Sequence, residues 1–297
     1  MKTISFKNSF GDTLYGNAWE VAAPKAFVLI ITGMAEHTER YNDFAVFLNK
    51  NGYSCASLDQ YGQGNGKNGP LGLGGHDFFE KFVKTADEFI LNYKKNHTNI
   101  PAYIFGHSMG SFMVQSYIEH YHNADKVVIC GSNCMGGLGK VGFGLARLIV
   151  HKRNYNKQAE LLNQLAVGGY AKAVKNADSP NAWLSYNKDN YRAYDNDPYS
   201  GYRCSNGFYY EFFKGLASLN RPKNLKTINK DLPIYIIAGD ADPVGNNGKG
   251  PKKLDELYRK YGLNCKLTIY PNMRHEVLNE TNHDVVYENV LDFYKAK

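Results

Sequence analysis

The sequence contains no hydrophobic run long enough to cross a membrane. Its longest uninterrupted apolar stretch runs from Ala26 to Ile31, whereas a membrane-spanning helix needs about 20 such residues. The segment at the first methionine has two lysines and an asparagine among its first eight residues, and it lacks the apolar centre of a secretory signal. We therefore expect a cytoplasmic protein without a transmembrane segment.

Cysteine and clustered charge are also scarce. The five cysteines are an odd number and form no Cys-x-x-Cys pair, so the sequence indicates neither a disulfide framework nor a zinc site. Lysine and arginine number 35 against 28 acidic residues, a net charge of +7. These charges are dispersed, as on a solvated surface, and no nucleic-acid-binding module is recognisable. We expect no nucleic-acid partner.

What the chain does contain is an alternation of strand and helix patterns. Strand patterns occur at 13–19, 26–32, 53–58, 101–105, 127–130, 233–238 and 265–270. Helical patterns occur at 40–50, 78–93, 109–120, 252–261 and 277–294. This order predicts an α/β fold with a mostly parallel sheet and helices on both faces.

The middle of the chain has a different composition. Residues 134–226 show no clear strand pattern and are rich in tyrosine and asparagine. The simplest organisation is one core built from 1–133 and 227–297, with a mostly helical insertion at 134–226. The tyrosines of this insertion either line a pocket or form the core and surface of a small helical unit.

One short motif carries chemistry. The sequence Gly106-His107-Ser108-Met109-Gly110 fits Gly-x-Ser-x-Gly, directly follows a predicted strand and opens a predicted helix. That setting is typical of a nucleophile elbow, in which the serine hydroxyl is presented above the sheet. Glycine is needed there because the tight turn brings two backbones together. We predict that Ser108 is a nucleophile and not merely a helix N-cap.

A serine nucleophile needs a base and an acid that orients the base, here in the chain order serine, acid, histidine. Asp240 and Asp242 follow the strand at 233–238, and His275 follows the strand at 265–270. The carboxyl ends of parallel strands meet at one edge of a sheet, where active sites of such folds assemble. His275 is therefore the predicted base, and Asp240 or Asp242 the orienting acid.

A tetrahedral oxyanion also needs two hydrogen-bond donors. Backbone N–H groups serve this purpose in acyl transfer. One is expected from Met109, the residue after the nucleophile, and the other from Met34 in the loop after the strand at 26–32.

Four stretches resemble the α/β-hydrolase superfamily, and within it the bacterial monoacylglycerol lipase and lysophospholipase-like serine hydrolases. Residues 32–41 (TGMAEHTERY) are similar to His-Gly-x-x-Glu-His-x-x-Arg-Tyr, with Thr32 replacing the first histidine. Residues 59–64 (DQYGQG) are similar to Asp-x-x-Gly-x-Gly, with Gln63 where histidine is usual. The elbow motif matches without a break. Residues 239–244 (GDADPV) match Gly-x-x-Asp-Pro-Val, which selects Asp242 as the acid.

The resemblance implies a serine hydrolase that cleaves carboxylic esters of the monoacylglycerol or lysophospholipid type through an acyl-enzyme. It implies the triad Ser108, His275 and Asp242, no cofactor and no metal. The insertion at 134–226 occupies the family's cap position and is a candidate for transient membrane contact. Two enzymatic alternatives use the same triad, an acyltransferase and a peptidase of small amides. A third alternative is a non-catalytic binding protein on this fold.

Three further patterns are set aside. Residues 64–69 fit Gly-x-Gly-x-x-Gly, but no helix follows to bind a phosphate. Residues 245–250 lack the spacing and the hydroxyl residue of a P-loop. His120 and His122 have no acidic or cysteine partner at metal-ligand spacing.

Overall fold

One eight-stranded sheet organises the protein in a computed structural model that describes residues 1–296. The strands are β1 (Lys2–Lys7), β2 (Thr13–Trp19), β3 (Ala26–Ile31), β4 (Tyr53–Leu58), β5 (Ala102–His107), β6 (Lys126–Cys130), β7 (Ile234–Gly239) and β8 (Cys265–Tyr270). Across the sheet their order is β1-β2-β4-β3-β5-β6-β7-β8. Strand β2 pairs with β1 and with β4 in antiparallel fashion. The pairs among β3 to β8 are all parallel. The predicted α/β fold with a mostly parallel sheet is confirmed.

Helices follow the strands in the order that the alternation predicts. In chain order they are α1 (Asn42–Lys50), α2 (Phe78–Asn96), α3 (Met109–His120), α4 (Gly136–Ile149), α5 (Leu161–Ala166), α6 (Lys188–Asn196), α7 (Asn206–Ser218), α8 (Pro222–Leu225), α9 (Lys249–Lys260) and α10 (Asp284–Lys295). Short 3-10 turns occupy Thr38–Tyr41, Ala171–Ala173, Ala182–Leu184 and Val277–Asn279. No helix among the described residues has both the length and the hydrophobicity to span a bilayer.

Both faces of the sheet are covered. Successive side chains of a strand point to opposite faces, so neighbours in β3 enter different cores. Val28 packs in a cluster with Phe44 of α1 and Tyr287 of α10. Leu29 packs in the other cluster, with Phe79 of α2. Because helices cover both faces, every residue of β3 is buried, which explains why this strand reads as a continuous apolar run.

Strand β1 is absent from the sequence-based prediction. It lies at the edge of the sheet, pairs only with β2, and buries part of just two apolar side chains, Ile4 and Phe6. Phe6 meets Phe89 of α2 edge-on, with ring centroids 5.1 Å apart. Two alternating apolar residues among lysine, threonine and serine are too weak a pattern to distinguish a strand from a polar loop.

Two predicted helices are divided in the structure. The helix predicted at 40–50 begins as the 3-10 turn and continues as α1, and the helix predicted at 277–294 is split into a 3-10 turn and α10. The gap before α10 contains Glu280, whose buried carboxylate accepts hydrogen bonds from the insertion. Those long-range bonds take the place of a continuous helix.

Helices α4 to α8 lie between β6 and β7 in the chain. Among the described residues of this stretch, the β-pairing consists of one isolated bridge between Gln158 and Ser205. Helix α7 packs against α2, α3 and α4, and Phe208 stacks on Phe78 with centroids 4.5 Å apart. Residues 182–194 instead form a small separate cluster. The bounds 134–226 for a cap stay a prediction.

Candidate active site

Ser108 occupies the turn between β5 and α3. Its backbone has φ +52° and ψ −119°, a conformation that costs energy for any residue other than glycine and persists at functional sites. The turn is tight because α3 approaches β3 closely. A Cβ added to Gly110 would overlap the carbonyls of Ile31 and Thr32, so glycine is required there. This geometry presents the Ser108 side chain to a cavity.

That cavity has a volume of about 330 Å³ and contains Ser108, Met109, Met34 and His275 in its lining. Four of the five residues predicted from sequence therefore meet at one site. The rest of the wall comes largely from the insertion and includes seven aromatic side chains. Its aromatic members are Phe112, Tyr170, Trp183, Tyr194, Tyr202, Tyr209 and Phe212.

The fifth residue, Asp242, lies behind His275. Nδ1 of His275 is 3.0 Å from both carboxylate oxygens of Asp242, and both side chains are fully buried. One oxygen of Asp242 also accepts the N–H of Val244 at 2.8 Å. Asp240 is exposed at the surface. The structure thus brings Asp242, and not Asp240, to the histidine.

The contact with Asp242 decides what His275 can do. A carboxylate beside Nδ1 favours the tautomer that carries its proton there, which leaves Nε2 as a proton acceptor. Nε2 is buried and has no hydrogen-bond partner among the described residues. A buried nitrogen without a partner is costly, and catalytic hydrogen bonds are often long before substrate binds. Nε2 of His275 is therefore left able to accept a proton.

The imidazole ring of His275 is held by its neighbours. Its centroid is 5.1 Å from that of Trp183 and 4.7 Å from that of His107. Gly131 borders a further side with φ +62°, and a Cβ on it would come within 3.0 Å of the ring. These contacts restrict the ring to an orientation that keeps Nδ1 on Asp242.

Two backbone donors remain free in the loops around Ser108. The N–H of Gly33 donates to the carboxylate of Glu36, and that of Ala35 donates to Oε1 of Gln63. Within residues 1–296, the N–H groups of Met34 and Met109 have no protein acceptor, and both residues line the cavity. This pattern leaves the two predicted donors available for an oxyanion.

The two departures from the family motifs are accommodated by glutamines. Gln63, which stands where histidine is usual, accepts from Ala35 and donates to the carbonyl of Gly33 at 3.2 Å. Gln60 donates to the carbonyl of Thr32 at 2.7 Å. The Met34 loop is therefore fixed from both ends by amide side chains.

A buried charge network beside the cavity was missed by sequence reasoning. Arg40 lies 2.7 Å from Glu36 and also 2.7 Å from Glu276, and Tyr41 donates to Glu36 at 2.8 Å. Burial opposes ionisation of Glu36, but the hydrogen bond from His107 and the charge of Arg40 outweigh it and lower the pKa of Glu36. Burial likewise opposes ionisation of Glu276, and Arg40 holds the pKa of that carboxyl below its usual value.

The network joins three pieces of the site. Glu36 belongs to the Met34 loop, His107 directly precedes Ser108, and Glu276 directly follows His275. Because burial works against the positive charge of His107 while Glu36 favours it, the net effect raises the pKa of His107. The available sequence signal was an acidic residue directly after His275, but its partner Arg40 lies 236 positions away.

The sheet order, the strained serine turn and the buried histidine–aspartate pair define an α/β-hydrolase. The chain belongs to the family described as serine aminopeptidase, S33, whose model matches residues 22–282. It is an enzyme of the ester hydrolase class.

Two proteins of known function resemble the chain in sequence, and one solved structure resembles it in fold. A monoacylglycerol lipase of Mycolicibacterium smegmatis is 24% identical over 274 residues, covering 91% of this chain and 88% of that protein. A monoglyceride lipase homolog of monkeypox virus is 30% identical over 112 residues, but the match spans only 37% of this chain and 40% of the viral protein. The crystal structure of a thermostable carboxyl esterase from Bacillus coagulans superposes with a TM-score of 0.87 at 22% identity, covering 99% and 97% of the two chains. The last comparison establishes the fold.

Proposed function

We propose that the protein hydrolyses esters of the monoacylglycerol type through a Ser108–His275–Asp242 triad and an acyl-enzyme. The observation that carries this proposal is the orientation of His275. Its Nδ1 bonds to Asp242 at 3.0 Å, and it shares one cavity with Ser108. The monoacylglycerol lipase of M. smegmatis, matched along most of both chains, supports the substrate class.

The steps follow from these positions. The hydroxyl oxygen of Ser108 attacks the ester carbonyl carbon while Nε2 of His275 takes the hydroxyl proton. The carbonyl oxygen becomes an oxyanion that accepts hydrogen bonds from Met34 and Met109, each worth about 2.7–4 kcal/mol of transition-state stabilisation. His275 then gives its proton to the leaving alcohol as the carbon–oxygen bond breaks. Water then attacks the acyl carbon while the same nitrogen takes its proton, and His275 returns that proton to Ser108 as the acyl–oxygen bond breaks and the acid leaves.

Charge favours a neutral alcohol over a lysophospholipid headgroup. No lysine or arginine is present among the described residues that line the cavity, so nothing there pairs with a phosphate. The acidic residues of the lining, Glu36 and Glu276, are both paired with Arg40. We infer that a glycerol ester enters more readily than a phosphodiester, because a buried unpaired phosphate would be costly.

We also infer that residues 134–226 act as a cap that meets a lipid surface. Helix α4 exposes a stripe of apolar side chains to solvent, namely Leu138, Val141, Leu145 and Leu148. Exposed apolar patches mark interaction sites. The exposed basic residues Lys140 and Arg147 on the same helix suit an anionic membrane. Co-sedimentation with vesicles containing phosphatidylglycerol tests this, and a Leu145→Asp, Leu148→Asp variant should lose the binding.

Hydrolysis of p-nitrophenyl esters and of monoacylglycerols by the wild type and by Ser108→Ala tests the main proposal. The variant should lose at least about 10³-fold in kcat, since the nucleophile is gone. A matched control is Ser116→Ala, another buried serine of α3, which should keep its activity. Wild-type protein incubated with an ester or a fluorophosphonate should also gain the mass of one acyl or phosphonyl group, and Ser108→Ala should not.

Full activity of Ser108→Ala would refute the proposed triad. Turnover of small amides in preference to esters would favour a peptidase, and transfer to added alcohols in preference to water would favour an acyltransferase. Folded wild-type protein that neither turns over esters nor reacts with a fluorophosphonate would point to a binding role.

A further inference from the structure

A buried carboxylate outside the proposed triad ties the insertion to the loop that carries the proposed base. Glu280 is 1% exposed. It accepts the hydroxyl of Ser185 at 2.8 Å and the N–H of Tyr186 at 2.9 Å. On its other side it accepts the N–H of Arg274 at 2.7 Å. One carboxylate therefore joins the segment 182–187 to the segment 274–280, and the proposed chemistry does not use it.

A second set of bonds reinforces this connection. The guanidinium of Arg274 donates to the carbonyls of Ala182 at 2.6 Å and of Ser185 at 3.1 Å. The N–H of Glu276 donates to the carbonyl of Leu184 at 2.7 Å. The two residues that flank His275 therefore both bond to the same short stretch of the insertion. Trp183 lies inside that stretch and is fixed relative to His275.

Trp183 forms a wall against the base. Its ring centroid is 5.1 Å from that of His275 on one side and 5.0 Å from that of Tyr170 on the other. Both aromatic residues line the cavity. In the proposed reaction His275 gives its proton to the departing alcohol, so side chains against its ring border the space that the alcohol occupies.

We propose that Trp183, backed by Tyr170, determines specificity for the leaving alcohol, and that Glu280 is a positioning residue that holds Trp183 in place. This inference rests on the proposed function, which it deepens. The alcohols that fit are small and uncharged, since their C–H groups pack on ring faces while the cavity offers no cation to pair with an anion. Acyl specificity belongs to other parts of the lining, such as Phe112 and Phe212.

Two substrate series distinguish a change in alcohol specificity from a general loss of activity. The first keeps one acyl group and varies the alcohol among methyl, glyceryl and benzyl. The second keeps one alcohol and varies the acyl chain. In Trp183→Ala the ratio of kcat/KM between benzyl and glyceryl esters should rise about tenfold or more, the discrimination that one well-packed apolar group provides. The acyl series should keep its ranking within about twofold.

Matched variants complete this test. Trp183→Phe should restore most of the wild-type alcohol ranking, and Trp19→Phe should leave it unchanged, because Trp19 is buried in β2 and bonds to Asn42. If Trp183→Ala lowers kcat/KM equally over both series, the proposed role of Trp183 in alcohol specificity is refuted. Wild-type protein that hydrolyses no ester would instead overturn the proposed function together with it.

Hydrogen exchange tests the positioning role of Glu280 without relying on turnover. In Glu280→Ala the amides of 182–187 should exchange at least about tenfold faster, as expected for a local opening, while those of β5 and β6 keep their protection. Its alcohol ranking should shift in the same direction as in Trp183→Ala. If Glu280→Ala fails to fold, Ser185→Ala is the alternative: it removes one bond to Glu280 and the bond from the Asn187 N–H, and it should give a smaller change in the same direction. Unchanged exchange at 182–187 in these variants would overturn the role.

Discussion

Replacement of Asp242 by asparagine isolates the contribution of the orienting acid. The amide has the size of the carboxylate, so its oxygen can still accept the N–H of Val244, a bond of 2.8 Å in the wild type. Its NH₂ group then replaces the other carboxylate oxygen, which lies 3.0 Å from Nδ1 of His275, and a donor at that position favours the tautomer with the ring proton on Nε2. A histidine in that tautomer cannot accept the proton of Ser108.

The size of the effect follows from this geometry. In serine hydrolases the wrong tautomer lowers kcat by about 10⁴, which corresponds to about 5 kcal/mol in the activation barrier. Asp240→Asn is the matched control, because Asp240 lies two positions earlier and is exposed. Its kcat should stay within about twofold of the wild type, as for a surface substitution.

The assay is steady-state hydrolysis of a p-nitrophenyl ester, with the rate of fluorophosphonate labelling of Ser108 as a second measure. Thermal unfolding of both variants controls for misfolding. An orienting role of Asp242 is refuted if Asp242→Asn keeps more than about a tenth of the wild-type kcat, or if Asp240→Asn loses as much as Asp242→Asn.

Three further predictions concern stability. Burial raises the pKa of Asp59 to about 6, so its contribution to stability is present below pH 4 and is lost as the pH rises through 6. The stability of Asp59→Asn relative to wild type should therefore increase by about 2 kcal/mol between pH 4 and pH 7 in urea titrations. Arg40→Met leaves Glu36 and Glu276 buried without their cation and should cost about 3–5 kcal/mol in the same assay; a cost near zero would contradict the pairing. Gly110→Ala should cost about 1–3 kcal/mol in thermal unfolding and reduce ester hydrolysis, because its Cβ overlaps backbone carbonyls; an unaffected variant would show that the elbow tolerates a side chain.

The parts of the fold that sequence predicts are those with local causes. Strand β3 is an unbroken apolar run because helices cover both faces, and the elbow at Ser108 needs small residues because two backbones meet there. His275 was predicted because it follows a strand, and strand ends converge on one edge of a parallel sheet. The same argument left Asp240 and Asp242 as alternatives, and only the family motif at 239–244 selected Asp242. Strand β1 was missed because an edge strand with two partly buried side chains differs little from a polar loop.

The contacts that sequence could not predict are those between distant polar residues. Arg40 and Glu276 are 236 positions apart, and Glu280 and Ser185 are 95 apart. Hydrophobic periodicity carries no information about which buried charges pair, because a buried ion needs a partner from anywhere in the chain. A glutamate directly after His275 is thus a weak signal until the fold brings Arg40 to it.

These long-range pairs divide the insertion into parts with different roles. The stretch 182–187 bonds to both neighbours of His275 and to Glu280, so any displacement there moves Trp183 against the base. Helices α4 and α5 have no such bond to the base loop among the described contacts, and they expose apolar side chains such as Leu148 and Leu165. If the insertion is the proposed cap, it would meet a lipid surface at one end while the other end holds the geometry around His275. The proposals then assign selectivity for the alcohol and access for the acyl chain to separate segments of one insertion.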